Sequence, residues 1–157
     1  MAAAPRRLKP IFRRQNPQFR PAPAPAANYV PYVIAGGMLY VSGQISQSGG
    51  ALIRGRLGAD MDIEAGAAAA RACALSILAQ ARAACGGDFG RIARLVKLTG
   101  FVASTPDFID QPKVVNGASD LFVAVMGDVG RHARSAISAP SLPLGVAVEI
   151  EAIFELA

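Results

Sequence analysis

The sequence is poor in the residues that build metal centres, and it lacks a run of residues suited to crossing a membrane. It contains two cysteines and one histidine, too few of these ligands to complete a four-ligand zinc site. The longest stretch without a formal charge runs from Pro21 to Ile53. Pro, Gly, Asn, Ser and Gln interrupt that stretch, whereas a membrane helix needs about 20 predominantly apolar residues. The sequence therefore predicts neither a metal site nor a membrane-spanning segment.

The two cysteines are too far apart to form a disulfide within one helix. Cys73 and Cys85 lie twelve residues apart in a segment with helical periodicity, which corresponds to about 18 Å at the rise of an α-helix. A disulfide requires Cα atoms within about 7 Å. We therefore expect two free, buried thiols and a reducing compartment, which favours a cytoplasmic protein.

Acidic residues are absent from the beginning of the chain, so the net charge of +5 misrepresents the rest. Six basic residues lie in the first twenty positions, and the remainder has ten basic against eleven acidic residues. A body without a basic stripe does not favour nucleic-acid binding. Because residues 1–26 are also rich in proline, they are predicted to be a flexible basic leader. An inert extension, a targeting peptide and a weak polyanion contact remain open as its role.

Residues 27–157 are predicted to form a single domain, since the chain is long enough for one ordinary core and 52% of its residues are hydrophobic. Periodicity and turn residues indicate the order β-β-α-β-α-β-β, with Ser46 to Leu57 as a loop. Asp62 and Asp110 are the predicted N-caps of the two helices. The predicted strands cover 29–34, 38–42, 93–102, 132–138 and 146–156, and the helices cover about 62–86 and 112–126.

The last predicted strand has the clearest alternation in the chain. Apolar residues from Val146 to Leu156 alternate with a set that includes Glu149, Glu151 and Glu155. One face should therefore lie against both helices, which predicts a two-layer α+β domain with a mixed sheet. The opposite face also carries Ile153, so we expect another chain to cover it.

Few residues outside the last predicted strand are candidates for catalysis or ligand binding. His132 is the only histidine, and its isolated position at a strand start favours a packed or capping residue over a catalytic base. Arg134 lies within a segment that resembles a buried strand, where an unpaired guanidinium is costly. Two interpretations stay open: an internal ion pair with Glu149 or Glu151, or an arginine that binds an acidic ligand.

Several motifs, taken in order, resemble the RidA family, also called YjgF/YER057c/UK114. The resemblance runs from about residue 25 to residue 157. Its motifs are Val41-Ser42-Gly43-Gln44, the strand from Val96 to Val102, Asn116, Arg134-Ser135-Ala136, Leu142-Pro143 and Val148 to Ala152, with Arg134 fifteen residues before Glu149.

The resemblance implies a chorismate-mutase-like subunit that assembles as a homotrimer, with three pockets in the clefts between subunits. Family members with the full site hydrolyse enamine and imine intermediates to 2-oxo acids and ammonia without a cofactor. By residue matching, Arg134 would bind the carboxylate of a small metabolite, and Glu149 would activate the attacking water. Backbone groups around Ala136 would assist, and Tyr29, Ser42 and Asn116 would line the pocket.

The sequence also departs from the family pattern. Residues 130–133 read Gly-Arg-His-Ala, where the best-known deaminases have Phe-Pro-Ala before the arginine, and Ala136 replaces a frequent cysteine. This resembles a divergent branch of the family. A non-catalytic trimeric module that binds a small carboxylate is therefore the alternative, and a ribonuclease or translation inhibitor is the less favoured third candidate.

Overall fold

The computed structural model describes residues 21–157, and residues 1–20 lie outside the described part. Most of the predicted leader therefore cannot be compared with the structure. The strands are β1 Tyr32–Ala35, β2 Met38–Ile45, β3 Gln47–Ser48, β4 Ala51–Leu52, β5 Ile92–Ala103, β6 Ala133–Ala139 and β7 Val148–Leu156, and the helices are α1 Ile63–Ala84 and α2 Gln111–Met126.

A mixed sheet, a separate two-stranded hairpin and two helices make up the domain, which confirms the predicted α+β class. The sheet has five strands in the order β1-β2-β7-β5-β6. β5 and β6 run parallel, joined by the crossover that contains α2, and the other neighbours are antiparallel. In β7, Val148, Ile150, Ala152 and Phe154 are buried, whereas the intervening residues are more accessible. The predicted alternation is correct from Val148 onward, whereas the strand begins two residues later than predicted, after the buried Val146 and Ala147.

The predicted hairpin forms around Gly36-Gly37, where both glycines have positive φ. The boundaries differ from those predicted, because β1 begins only at Tyr32 and β2 continues to Ile45. An irregularity between Val41 and Gln44 shifts the pairing of β2 with β7. The segment predicted as a loop contains the short β3–β4 hairpin, with Gly49-Gly50 as its turn. The loop prediction is wrong at that point.

Helix α1 begins and ends where its capping residues predict. The Asp62 side chain accepts a hydrogen bond from the backbone N–H of Ala65 at 2.8 Å, and the helix ends just before Gly86-Gly87. Cys73 and Cys85 are free and buried, as predicted, and burial raises the pKa of both thiols. No helix within residues 21–157 combines the length and the apolar composition needed to cross a membrane.

Helix α2 has the predicted extent but a different N-terminal arrangement. Asp110 occupies the N-cap position without making a side-chain cap hydrogen bond. Its carboxylate instead forms an ion pair with Lys113 at 3.0 Å. The predicted cap is thus correct in position and wrong in its contact. The buried residues of α2 face the core, and they are Val114, Val115, Ala118, Leu121, Phe122, Val125 and Met126.

Gly117 allows α2 to approach α1 closely, and we expect Gly117→Ala to destabilise the fold. A Cβ at this position would overlap the backbone carbonyl of Ala67. Backbone contacts cannot rotate away, so overpacking should outweigh the better helix propensity of alanine and cost about 1–3 kcal/mol. Urea unfolding measures this change, with exposed Asp120→Ala on the same helix as the control. Equal stability of the two variants would contradict the assigned close approach.

Candidate functional site

Arg134 lies on β6, an edge strand, and its side chain is on the helix-facing side of the sheet. Its backbone is in register with Leu98 of β5, and Leu98 is in turn in register with Ala152 of β7. The side chain is half-buried and reaches α2. The structure therefore confirms that the arginine lies in a strand, and it places the guanidinium between that strand and a helix.

Three oxygen atoms of α2 hold the guanidinium. Arg134 Nη1 donates to Asn116 Oδ1 at 2.8 Å and to Ser119 Oγ at 3.1 Å, and Nη2 donates to the carbonyl of Pro112 at 3.3 Å. All three acceptors are neutral groups. Both hydrogens of Nη1 are used, whereas Nε and one hydrogen of Nη2 have no acceptor among residues 21–157. The arginine is thus held in place and can still donate hydrogen bonds.

Arg134 forms no ion pair within the described part of the chain. The ion pairs formed by residues close to it in sequence or on α2 are Lys113–Asp110 and Arg131–Asp128, and neither includes Arg134. Glu149 and Glu151 cannot neutralise Arg134 from their own chain, because they lie on the opposite face of the sheet. The internal ion pair considered from the sequence is therefore wrong within this chain, and the interpretation as a ligand-binding arginine remains.

His132 is connected to the same group through Ser119. The Ser119 Oγ and His132 Nε2 atoms are 3.0 Å apart, and His132 Nδ1 lies 2.6 Å from the carbonyl of Gly130. The imidazole also contacts the ring of Phe122 edge-on. Burial lowers the pKa of His132, the hydrogen bond to the Gly130 carbonyl offsets part of this, and the positive charge of Arg134 adds to the lowering. His132 is therefore packed and hydrogen-bonded, in agreement with the interpretation that the sequence favoured.

Glu149 occupies a half-buried position on the other face, beside the irregularity in β2. Gly43 leaves room for it, because a Cβ on Gly43 would overlap the Glu149 carboxylate. Burial raises the pKa of Glu149, and the neighbouring Glu151 raises it further. A carboxylate of this kind holds a proton more readily than an exposed one, which suits a group that accepts and returns a proton.

Tyr29 and Ser42 also lie on the side of the sheet away from the helices. They line a groove of about 350 Å³, which we call the sheet groove, together with residues that include Lys97, Thr99 and Glu151. Ser42 Oγ donates to the carbonyl of Val30 at 2.7 Å, and the Tyr29 hydroxyl accepts from the Ala26 N–H at 3.4 Å. Ser42 thereby fixes the segment that precedes β1.

The predicted site residues thus form two groups within one chain. Arg134 and Asn116 are in direct contact, and Ala136 lies on the same face two residues further along β6, packed against the core. Tyr29 and Ser42 line the sheet groove, and Glu149 lies beside Gly43, next to Ser42 in sequence. A single chain does not bring the guanidinium and the Glu149 carboxylate to one cavity.

Sequence reasoning missed Ser119 as a contact of Arg134. A signal for it exists, because Asn116 and Ser119 are three residues apart and therefore share a face of α2.

Two further polar residues, Gln44 and Gln80, are buried beside the sheet. Gln44 donates to the carbonyl of Ser42 at 2.9 Å, and Gln80 donates to the carbonyl of Pro23 at 2.8 Å. Gln80 also donates to Gln44 Oε1 at 3.5 Å, so the end of the predicted leader is connected through Gln80 to β2.

No group of three or more His, Cys, Asp or Glu side chains suited to a metal ion occurs within residues 21–157. The groups near Arg134 are a guanidinium, an amide, a hydroxyl and an imidazole. The hydroxyl, the imidazole and the amide oxygen are used in bonds within this group, so the guanidinium is the part with donors left for an anion.

The mixed sheet with two helices on one face is the arrangement of a chorismate-mutase-like α+β subunit. A family model described as "YjgF/chorismate_mutase-like, putative endoribonuclease" matches residues 18–156. The chain therefore belongs to the YjgF family, which is the RidA family that its motifs resemble.

Individual relatives support the same assignment. Protein TCP17 of Trypanosoma cruzi is 51% identical over 137 residues, covering 86% of this chain and 85% of that protein. The crystal structure of Atu1372 from Agrobacterium tumefaciens, a protein of unknown function, is 50% identical with a TM-score of 0.82, over 85% of this chain and 86% of that chain. A structure from Shewanella oneidensis, named as an endoribonuclease candidate, is 33% identical with a TM-score of 0.88, over 96% of this chain and all of that chain.

Proposed function

We propose that this protein is a cofactor-independent hydrolase that converts small enamine and imine acids to 2-oxo acids and ammonia. The observation that carries the proposal is the state of Arg134. Three neutral oxygens orient its guanidinium, no carboxylate within residues 21–157 neutralises it, and Nε and one Nη2 hydrogen are left to donate. A guanidinium with two such donors is suited to bind a carboxylate by two parallel hydrogen bonds.

The proposed reaction needs one further group to move a proton. Water attacks the carbon of the protonated imine, its oxygen forms the new C–O bond as the C=N electron pair moves to nitrogen, and one water proton passes to a carboxylate. The carboxylic acid returns that proton to nitrogen. The C–N bond then breaks with its electron pair leaving on ammonia, and the carboxylate takes the remaining hydroxyl proton as the carbonyl forms. Glu149 is the candidate for this group, because burial raises its pKa and a base with a raised pKa exchanges protons readily near neutral pH.

The proposal requires a second subunit, because Arg134 and Glu149 lie on opposite faces of one sheet. We propose the homotrimer that the family resemblance implies, with Arg134 facing Glu149 of the partner subunit across a cleft. The apolar side chains exposed on and beside the outer face support an assembly that covers this surface. They are Tyr29, Val30, Val33, Ile34, Tyr40 and Ile137. A cytoplasmic location remains part of the proposal, supported by the two free thiols.

Release of 2-oxo acid from imino acids generated in situ by an amino-acid oxidase tests the proposal. We expect the wild-type protein to increase the rate of release above that of buffer and of heat-denatured protein. Light scattering under the same conditions should give a trimer. A trimer that binds pyruvate but releases 2-oxo acid only at the background rate would contradict the hydrolase and leave the binding function.

A non-catalytic trimeric module that binds a small carboxylate is the second candidate. One observation favours it. A single chain supplies all the oxygens that hold Arg134, whereas the proposed base, Glu149, lies on the opposite face of the sheet. Ala136 also replaces the frequent cysteine of the family. This candidate predicts thermal stabilisation by pyruvate without turnover.

Ribonuclease activity is the least supported reading, although the names of the family and of the Shewanella oneidensis relative mention it. The outer face of β7 carries Glu149, Glu151 and Glu155, and acids repel a phosphate backbone. RNA affinity that depends steeply on salt and disappears when residues 1–26 are deleted would assign any such binding to the basic leader.

A further inference from the structure

Ser119 and His132 form a hydrogen-bonded pair behind Arg134 that the proposed reaction does not use. The direction of each bond follows from the groups involved. The carbonyl of Gly130 can only accept, so His132 Nδ1 carries the hydrogen. In the neutral imidazole, Nε2 then has a free lone pair, and the Ser119 hydroxyl donates to it.

The same hydroxyl oxygen accepts from Arg134 Nη1. A directed chain of hydrogen bonds therefore runs from Arg134 through Ser119 and His132 to the carbonyl of Gly130. Protonation of His132 changes one link of this chain, because Nε2 becomes a donor to Ser119 Oγ. It also places a second positive charge next to the guanidinium, which a bound anion would offset.

Among the charged side chains around His132, Arg134 has the largest effect on the protonation of the imidazole, because the others are exposed, paired or directed elsewhere. Asp120 on α2 is exposed, and Asp128 in the turn before β6 forms an ion pair with Arg131. Arg94 of β5 donates to the carbonyl of Arg131, and Lys97 of β5 lines the sheet groove on the other face. Arg134 is the charged residue that shifts the pKa of His132, and it acts in the same direction as burial.

We propose that Ser119 and His132 are a protonation-sensitive support for Arg134, so that the charge of His132 sets how tightly this guanidinium holds a carboxylate. The inference rests on the proposed function in that Arg134 binds a carboxylate. Coupling between two binding events is reciprocal. If a bound carboxylate favours the protonated imidazole, protonation of His132 must strengthen carboxylate binding by the same factor.

The titration of His132 by NMR tests this directly, because it is the only histidine in the sequence. With ¹⁵N-labelled imidazole, we expect the neutral form to carry its hydrogen on Nδ1 and to titrate below the ordinary range of histidine. Saturating pyruvate should move the titration to higher pH. The dissociation constant of pyruvate should correspondingly fall about threefold to tenfold between about pH 8 and pH 5, as expected for two charges near a protein surface.

Two variants distinguish a role of Ser119 and His132 in carboxylate binding from a role in stabilising the fold alone. His132→Gln keeps an acceptor for Ser119 but cannot be protonated, so its pH-dependent gain in pyruvate affinity should be smaller than that of the wild type, with the remainder coming from Glu149 of the partner subunit. Ser119→Ala removes the donor to the neutral imidazole and should raise the pKa of His132. Asp120→Ala, next to Ser119 on the exposed face, should keep the wild-type pH dependence.

The outcomes for this inference and for the proposed function are distinct. If pyruvate binds but its affinity changes with pH equally in the wild type and His132→Gln, the protonation-sensitive support is overturned. If pyruvate does not bind the wild type at any pH, the proposed function is overturned instead. In that case Arg134→Gln still tests the contact, because loss of the cation should raise the pKa of His132, and an unchanged titration would overturn it.

Discussion

Arg134→Ala should weaken the binding of small 2-oxo acids by about 100-fold or more. Each charge-assisted hydrogen bond between a guanidinium and a carboxylate contributes about 1.5–3 kcal/mol, and the arrangement offers two. Alanine removes both donors and the charge. Isothermal titration with pyruvate measures the loss, and release of 2-oxo acid from imino acids should fall to the background rate in the same variant.

Arg131→Ala is the matched control, because Arg131 is exposed, lies three residues away in sequence and interacts with Asp128 in the turn. It should retain pyruvate binding. Arg134→Lys tests geometry rather than charge, since an ammonium cannot satisfy three fixed acceptors and still present a planar pair of donors. It should lose most of the affinity. Equal binding by the wild type and Arg134→Ala would remove Arg134 from the site.

Glu149→Gln should reduce turnover by about 100-fold or more while pyruvate still binds. Loss of a general base commonly costs a factor of this size, and an amide keeps the shape of the side chain. A loss of turnover without a loss of pyruvate binding would identify Glu149 as the group that moves the proton. A variant that loses binding and turnover equally would assign Glu149 to substrate binding rather than to proton transfer.

The same variant should be more stable than the wild type at neutral pH. Burial raises the pKa of Glu149 above its ordinary value of 4.5, so the folded state disfavours the ionised form. Below the ordinary value both states are protonated, and the substitution should change little. As the pH rises above it, the unfolded state ionises first and the wild type loses stability that Glu149→Gln keeps.

Urea unfolding at about pH 4 and about pH 8 measures this difference. Glu155→Gln is the control, because Glu155 is an exposed acid on the same strand and face and should show no comparable gain. A lower stability of Glu149→Gln at neutral pH would contradict the assigned desolvation of the Glu149 carboxylate.

Elements with strong local patterns were predictable from the sequence. The alternation in β7 and the Ala-rich stripe of α1 report which face is buried, and Asp62 defines the start of α1 through a contact three residues away. The β3–β4 hairpin was missed because its strands have two residues each. Two residues are too few to show a period, and the glycines between them suit either a loop or a tight turn.

The contacts of Arg134 were not predictable in the same way. They join β6 to α2, the helix of the crossover that precedes β6. They therefore depend on how that helix packs against the strand and not on any local spacing. Periodicity could not decide between an internal ion pair and a ligand-binding arginine, because both require the same residue in the same strand. The structure decides within one chain by placing Glu149 and Arg134 on opposite faces of the sheet.

The crystal structure of the protein with pyruvate is the most direct test of the carboxylate site at Arg134. We expect a homotrimer in which the pyruvate carboxylate accepts hydrogen bonds from Nε and Nη2 of Arg134, while Nη1 keeps its bonds to Asn116 and Ser119. Glu149 of the partner subunit should face the carbonyl carbon. An assembly in which a carboxylate of the protein itself occupies Arg134, with pyruvate absent or bound elsewhere, would contradict the account.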